Sequence, residues 1–197
     1  MTRLTRSQAQ DRNRDTVLAV ARDAFLRDGY VATSVAAVAR EAGFTTGIVY
    51  SSFGSKAELA LGVLRGIQTE QIDALAGRVR DADGPDQLLP QVREWAKRAS
   101  DSGWVRFELE LLLETIGDEK LAAAQTQRQA AALDQAAEVI RMIVPGGAID
   151  DGTIEVLAEA VVDYAIGVGI RSVVNREASP DRFLELVGPL FTALTSA

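Results

Sequence analysis

Residues 33–56 (TSVAAVAREAGFTTGIVYSSFGSK) constrain this chain more than any other stretch. Ser34 stands where it can cap a short helix, and Val35, Val38 and Ala39 follow at helical spacing. Gly43 ends that helix by supplying the left-handed residue that helix C-termini favour. Phe44 is expected to plug the corner as a core residue, and Thr45 to cap a second helix only two residues beyond the glycine. So short a link is the mark of a helix-turn-helix, whose second helix fits a DNA major groove. Gly47, a poor helix former early in that helix, suggests close backbone approach by a partner such as phosphate. Ser55 and Glu58 then make a capping box that opens the next helix.

A DNA partner has to be reconciled with a net charge of −7. The charge is unevenly spread. Residues 1–56 hold eight basic residues (Arg3, Arg6, Arg12, Arg14, Arg22, Arg27, Arg40, Lys56) and five acidic ones, whereas residues 57–197 hold thirteen basic and twenty-three acidic. Phosphate responds to local charge, so DNA contact is expected at the N-terminal end only.

The rest of the chain reads as helices. Residues 1–10 form a basic arm with two open readings: a frayed terminus, or arginines that reach a minor groove or phosphate. A first helix over 11–28 buries Val17, Leu18, Ala21, Ala24 and Phe25 and ends at Gly29. After the two short helices come patterns at 55–80, 86–100, 104–116, 118–144, 151–175 and 180–194. Gly84-Pro85, Ser102-Gly103, Gly117 and Pro145-Gly146-Gly147 punctuate them, and Pro189 is expected to kink the last. No period-two alternation or internal repeat interrupts them, so the expected fold is all-α with about nine helices.

The run Gly29-Tyr30, Thr33-Ser34-Val35, Val38-Ala39, Glu41-Ala42-Gly43-Phe44-Thr45, Gly47-Ile48-Val49-Tyr50, Phe53 and Ser55-Lys56 through Leu59 resembles the DNA-binding domain of the tetracycline-repressor (TetR) family. Ser51 and Ser52 stand where that family often has a Tyr and a His or Asn. Gly54 replaces a frequent proline, and Ala36 and Ala37 replace an early acidic residue. These departures bear on operator sequence and helix stability. The resemblance implies a homeodomain-like DNA-binding domain over 1–54 and a helical ligand-binding and dimerisation domain over 55–197. It further implies DNA contact from Thr33, Thr45, Thr46, Gly47, Tyr50, Ser51 and Ser52, with Lys56 on backbone phosphate.

Within the larger domain, a wheel drawn on 104–116 places Val105, Leu109, Leu112, Leu113 and Ile116 on one apolar stripe and Phe107 and Leu111 on a second. Glu108 falls between the stripes, while Arg106, Glu110 and Glu114 fall on the wetter side. A carboxylate so placed needs an ion-pair partner or a ligand. Trp95, Trp104 and Phe107 either line the same cavity as Glu108 or serve as plain core, while Tyr164 either faces that cavity or pairs across a subunit interface. An apolar or cationic effector would suit such a site.

Helix 151–175 starts with a wet stripe (Glu155, Glu159, Asp163) that a heptad step continues as Ile166, Ile170 and Val173. Its second half is therefore apolar almost all round and calls for cover. With Phe183, Val187 and Phe191 of the last helix it is expected to build a homodimer interface. Gly167 and Gly169 either permit close approach there or simply fill it.

The absence of cysteine and histidine removes thiolate zinc sites, Glu-x-x-His di-iron bundles and the usual general base of a serine triad. No cofactor is expected, and the chain lacks the roughly 18–20 apolar residues of a membrane span. The reading is a cytoplasmic, ligand-relieved repressor, not an enzyme, that binds an inverted-repeat double-stranded DNA operator as a homodimer. Two alternatives stand beside it: a small-molecule-binding helical module without active DNA binding, and a carboxylate-based helical-bundle enzyme.

Overall fold

The computed structural model describes residues 5–144, 148–175, 177–179, 181, 182, 184, 185, 188 and 189. Eight helices run through the described residues: α1 (Arg6–Ala32), α2 (Val35–Glu41), α3 (Thr46–Phe53), α4 (Lys56–Asp81), α5 (Pro85–Asp101), α6 (Trp104–Glu114), α7 (Glu119–Ile143) and α8 (Asp151–Val174). No strand occurs among those residues. Further helical positions occur at 181–182, 184–185 and 188–189. The expected interface residues Phe183, Val187 and Phe191 lie outside the described residues.

The first helix begins earlier than the basic-arm reading allows. Thr5 accepts from the Gln8 amide at 3.2 Å, and the Gln8 side chain accepts from the Thr5 amide at 2.9 Å. That capping box satisfies two N-terminal donors and starts α1 at Arg6. At its other end Gly29 sits at φ 85, ψ 171, so the helix breaks there as expected and a short turn continues to Ala32.

The chain divides into two compact units, Met1–Gly66 with Arg106–Gln125, and Ile67–Val105 with Thr126–Ala197. The first unit is centred on Val17, Ala21, Phe25, Val38, Val49, Leu59 and Leu64, all nearly inaccessible. Residues 106–125 are built into this unit although they leave and rejoin the chain of the second. In the second, Ala137, Ile154 and Ala158 pack together, with Ala136, Ile140 and Ile149 against them. Arg141 ties α7 to the start of α8 through Glu138 (2.8 Å) and Asp151 (3.2 Å).

On α6 the two apolar stripes separate. Phe107 and Leu111 are the buried pair, while Leu113 and Ile116 of the larger stripe are exposed. Gly169 faces inward: a Cβ there would lie 2.9 Å from the Val105 methyls, so its small size serves packing within the unit. Gly167 has open space around it.

Candidate nucleic-acid interface

The corner between α2 and α3 follows from local chemistry. Ser34 accepts from the Ala37 amide and starts α2. At the far end Phe44 N–H donates to Ala39 O at 2.8 Å and Gly43 N–H to Arg40 O at 3.2 Å, with Gly43 at φ 77. These paired bonds are a Schellman close, and its left-handed residue favours glycine. Phe44 is half-buried, a partial plug for the corner. Thr45 occupies the N-cap position in extended conformation, but its side chain makes no capping bond. The residue is exposed.

Helix α3 is held from within and presented outward. Val49 and Phe53, four residues apart, are buried. Thr46, Gly47, Tyr50 and Ser51 are exposed, with Tyr50 at 49%. Ser51 Oγ donates to Ile48 O at 2.9 Å, and Ser52 is half-buried. A Cβ on Gly47 would meet only Thr45 Oγ1, at 3.8 Å, so the fold itself does not demand glycine there. Thr33 is placed differently from the others: it is buried, and its hydroxyl donates to Gly29 O at 2.7 Å.

Arg14, a brace that sequence reasoning missed, holds the end of α3. Its guanidinium lies 4.2 Å from the Phe53 ring centroid, and Nη1 donates to Ser52 O at 2.6 Å. A cation is well placed at a helix C-terminus, where carbonyls lack partners. Gly54 then closes α3 by donating to Tyr50 O at 2.8 Å. The Glu58 amide donates to Ser55 Oγ at 3.0 Å, while the Glu58 carboxylate pairs with Lys120. That pairing draws the Lys120 ammonium pKa up.

Lys56 opens α4, the positive end of a helix dipole and an unfavourable place for a cation. Its ammonium is accommodated by the Tyr30 ring, 4.2 Å away, and by Val31 O at 3.4 Å. Burial lowers its pKa, opposed by the charges of Glu114 and Glu110. Burial, with Glu114 adding, pushes the Tyr30 phenol up to about 12. A raised phenol pKa favours the protonated fold, a contribution complete below about pH 10 and lost as pH rises towards 12. The phenolate absorbance that disappears in Tyr30→Phe is therefore expected to titrate near pH 12; a midpoint at 10 would refute this burial.

The residues that hold this assembly on α6 are those assigned above to its wetter side. Glu110 accepts from the Val31 amide and from Arg106 Nε, both at 2.8 Å, and Arg106 Nη2 donates to Asp28 O at 3.0 Å. Of the expected ligand residues, Phe107 and Glu108 belong to the first unit and Trp95, Trp104 and Tyr164 to the second. Phe107 stacks on Phe25 with centroids 4.7 Å apart. Trp95, Trp104, Glu108 and Tyr164 are half-buried. The two indole Nε1 atoms are buried without a hydrogen-bond partner among the described residues.

Residues 17–63, which span the second half of α1, all of α2 and α3 and the start of α4, match the sequence model of the family described as bacterial regulatory proteins, tetR family. Through these residues the chain carries the N-terminal domain of that family. Its full-length fold is similar to a TetR-family transcriptional regulator from Pectobacterium atrosepticum, with TM-score 0.70, 20% identity and 97% of each chain covered. A protein from Rhodococcus sp. assigned to the TetR family aligns at TM-score 0.69 and 18% identity, over 92% of this chain and 99% of that one. A regulator-like protein from Saccharomonospora viridis, solved in complex with choline, aligns at 0.63 and 20%, over 91% and 95%. No curated protein matches the chain. Among the described residues no helix is long and apolar enough to cross a membrane.

Proposed function

We propose that this TetR-family chain is a DNA-binding transcriptional regulator: a homodimeric repressor of an inverted-repeat operator, released by a small-molecule effector. The observation that carries the reading is α3 itself. Val49 and Phe53 fix the helix, and Thr46, Gly47, Tyr50 and Ser51 are left outward with no structural duty that explains them all. An open surface at Gly47 suits close approach of a phosphate backbone. Thr45 and Ser52 flank the face at either end, and Lys56 at the start of α4 supplies charge where a phosphate would also meet helix amides. Thr33 contributes by closing the Gly29 corner.

An apolar or cationic effector is supported by the two half-buried indoles of the second unit, since an aromatic face attracts a cation. The choline complex of a protein sharing this fold is consistent with that class. Selection from random duplex DNA is expected to enrich an inverted repeat whose half-site centres lie one helical turn, roughly 34–36 Å, or a multiple apart. Lys56→Ala should weaken binding across sequences and lower the salt slope by about one. Enrichment of nothing, or a footprint on one asymmetric half-site, would sink the reading.

A further inference from the structure

Gly29 and Glu110 are far apart in sequence, yet one is shaped around the other. The backbone at Gly29 is left-handed (φ 85), and a Cβ built on it would lie 2.6 and 2.8 Å from the Glu110 carboxylate oxygens and 3.0 Å from Arg106 Nη2. The charged face of α6 therefore occupies the space that a side chain at the corner would need. From there Glu110 takes the Val31 amide, and Arg106 takes Asp28 O, one group from each side of the glycine. The two side chains orient each other through the 2.8 Å bond between them. Glu110 is 21% exposed, low for a carboxylate, so its two donors substitute for lost water.

We infer that Arg106 and Glu110 are positioning residues for DNA reading: they clamp the α1 corner to α6 and fix the orientation of α2 and α3. The reason lies in what the corner supports. Gly29 O accepts from the buried hydroxyl of Thr33, the residue that leads into α2, and Val31 O accepts from Lys56 at the start of α4. The chain on either side of the reading helices, the lead into α2 and the start of α4, thus hangs from the four-residue corner that the clamp grips. Arg106 also stands at the junction where the second unit's chain enters the first. Any displacement of α6 is accordingly felt at Asp28 and Val31 before it reaches α3. Gly29 is required twice over, by its φ and by the carboxylate above it.

The inference rests on the DNA-binding reading for one of its two readouts only. In the full chain, Glu110→Ala is expected to speed amide exchange about tenfold or more at residues 28–33 and through 35–53, with 59–64 changed less than about threefold. Operator affinity, measured on a duplex selected by the wild-type chain, should fall about tenfold. Glu110→Gln, which keeps an acceptor for Val31 but loses the charge facing Arg106, should recover most of the exchange protection and part of the affinity. Faster exchange confined to Val31 would overturn the inference, as would uniform deprotection that includes 59–64. Normal affinity with a mobile corner would overturn it too. If the wild-type chain selects no DNA, the functional reading falls, and the clamp stands or falls on the exchange pattern alone.

Discussion

Ile170→Glu is expected to convert the protein to a monomer and to cut operator affinity by about 10²–10⁴-fold. The size of the loss follows from valency: two reading heads on one dimer gain that order of effective concentration for the second half-site. The choice of residue follows from α8. Ile154, Ala158 and Val168 face inward and are buried. Ile166, Ile170 and Val173, a separate row at helical spacing, are 47%, 45% and 47% exposed, and Val174 is more exposed still. An apolar row of that length is unusual on a surface that meets only water. Because Ile170 is exposed in the single chain, a glutamate there faces solvent and leaves the subunit fold intact. Light scattering reports the mass and a circular-dichroism melt reports the fold. A dimer of unchanged mass would place the interface elsewhere. A monomer that binds its operator as tightly as the wild type would refute the two-headed reading.

What the sequence made legible, and what it hid, divide along a physical line. Local chemistry was readable: the Ser34 cap, the left-handed Gly43, and the inward faces of α1 and α2 all depend on neighbours within five residues. The TetR-type corner was readable for the same reason. Contacts distant in sequence were not. Periodicity put Arg106, Glu110 and Glu114 on a wet face because a wheel knows polarity but not what lies opposite. The opposing surface is a backbone corner, with a donor at Val31 and an acceptor at Asp28, which charged side chains satisfy better than apolar ones. The only hint was Gly29 itself, a glycine that ends a helix but also leaves room above its Cα. The same blindness made Leu113 and Ile116 look as inward as Leu111. Gln8 completing a box with Thr5 was a readable signal, outweighed by the arginines around it.

Phe107→Ala should produce the largest loss of stability. Sequence alone left Phe107 open between cavity wall and core; its surroundings now give the two readings opposite outcomes. The side chain is fully buried, and its ring lies 4.7 Å from Phe25 at an interplanar angle of 9°. Phe25 in turn stacks on Tyr30 at 6.0 Å, so the three rings run from α6 into the corner that the clamp grips. Removing a buried phenyl costs about 3–5 kcal/mol, the lost transfer energy plus the cavity left behind. In a chain of this size that corresponds to a fall in Tm of roughly 6–20 °C if unfolding is two-state. Phe107→Leu, which keeps most of the volume, should recover more than half of it. The loss should appear in protein that has met no effector, because the ring's partners belong to the chain itself. A melt that matches the wild type, together with a changed effector response, would instead make Phe107 a wall of the ligand site and α6 a helix that closes around its ligand.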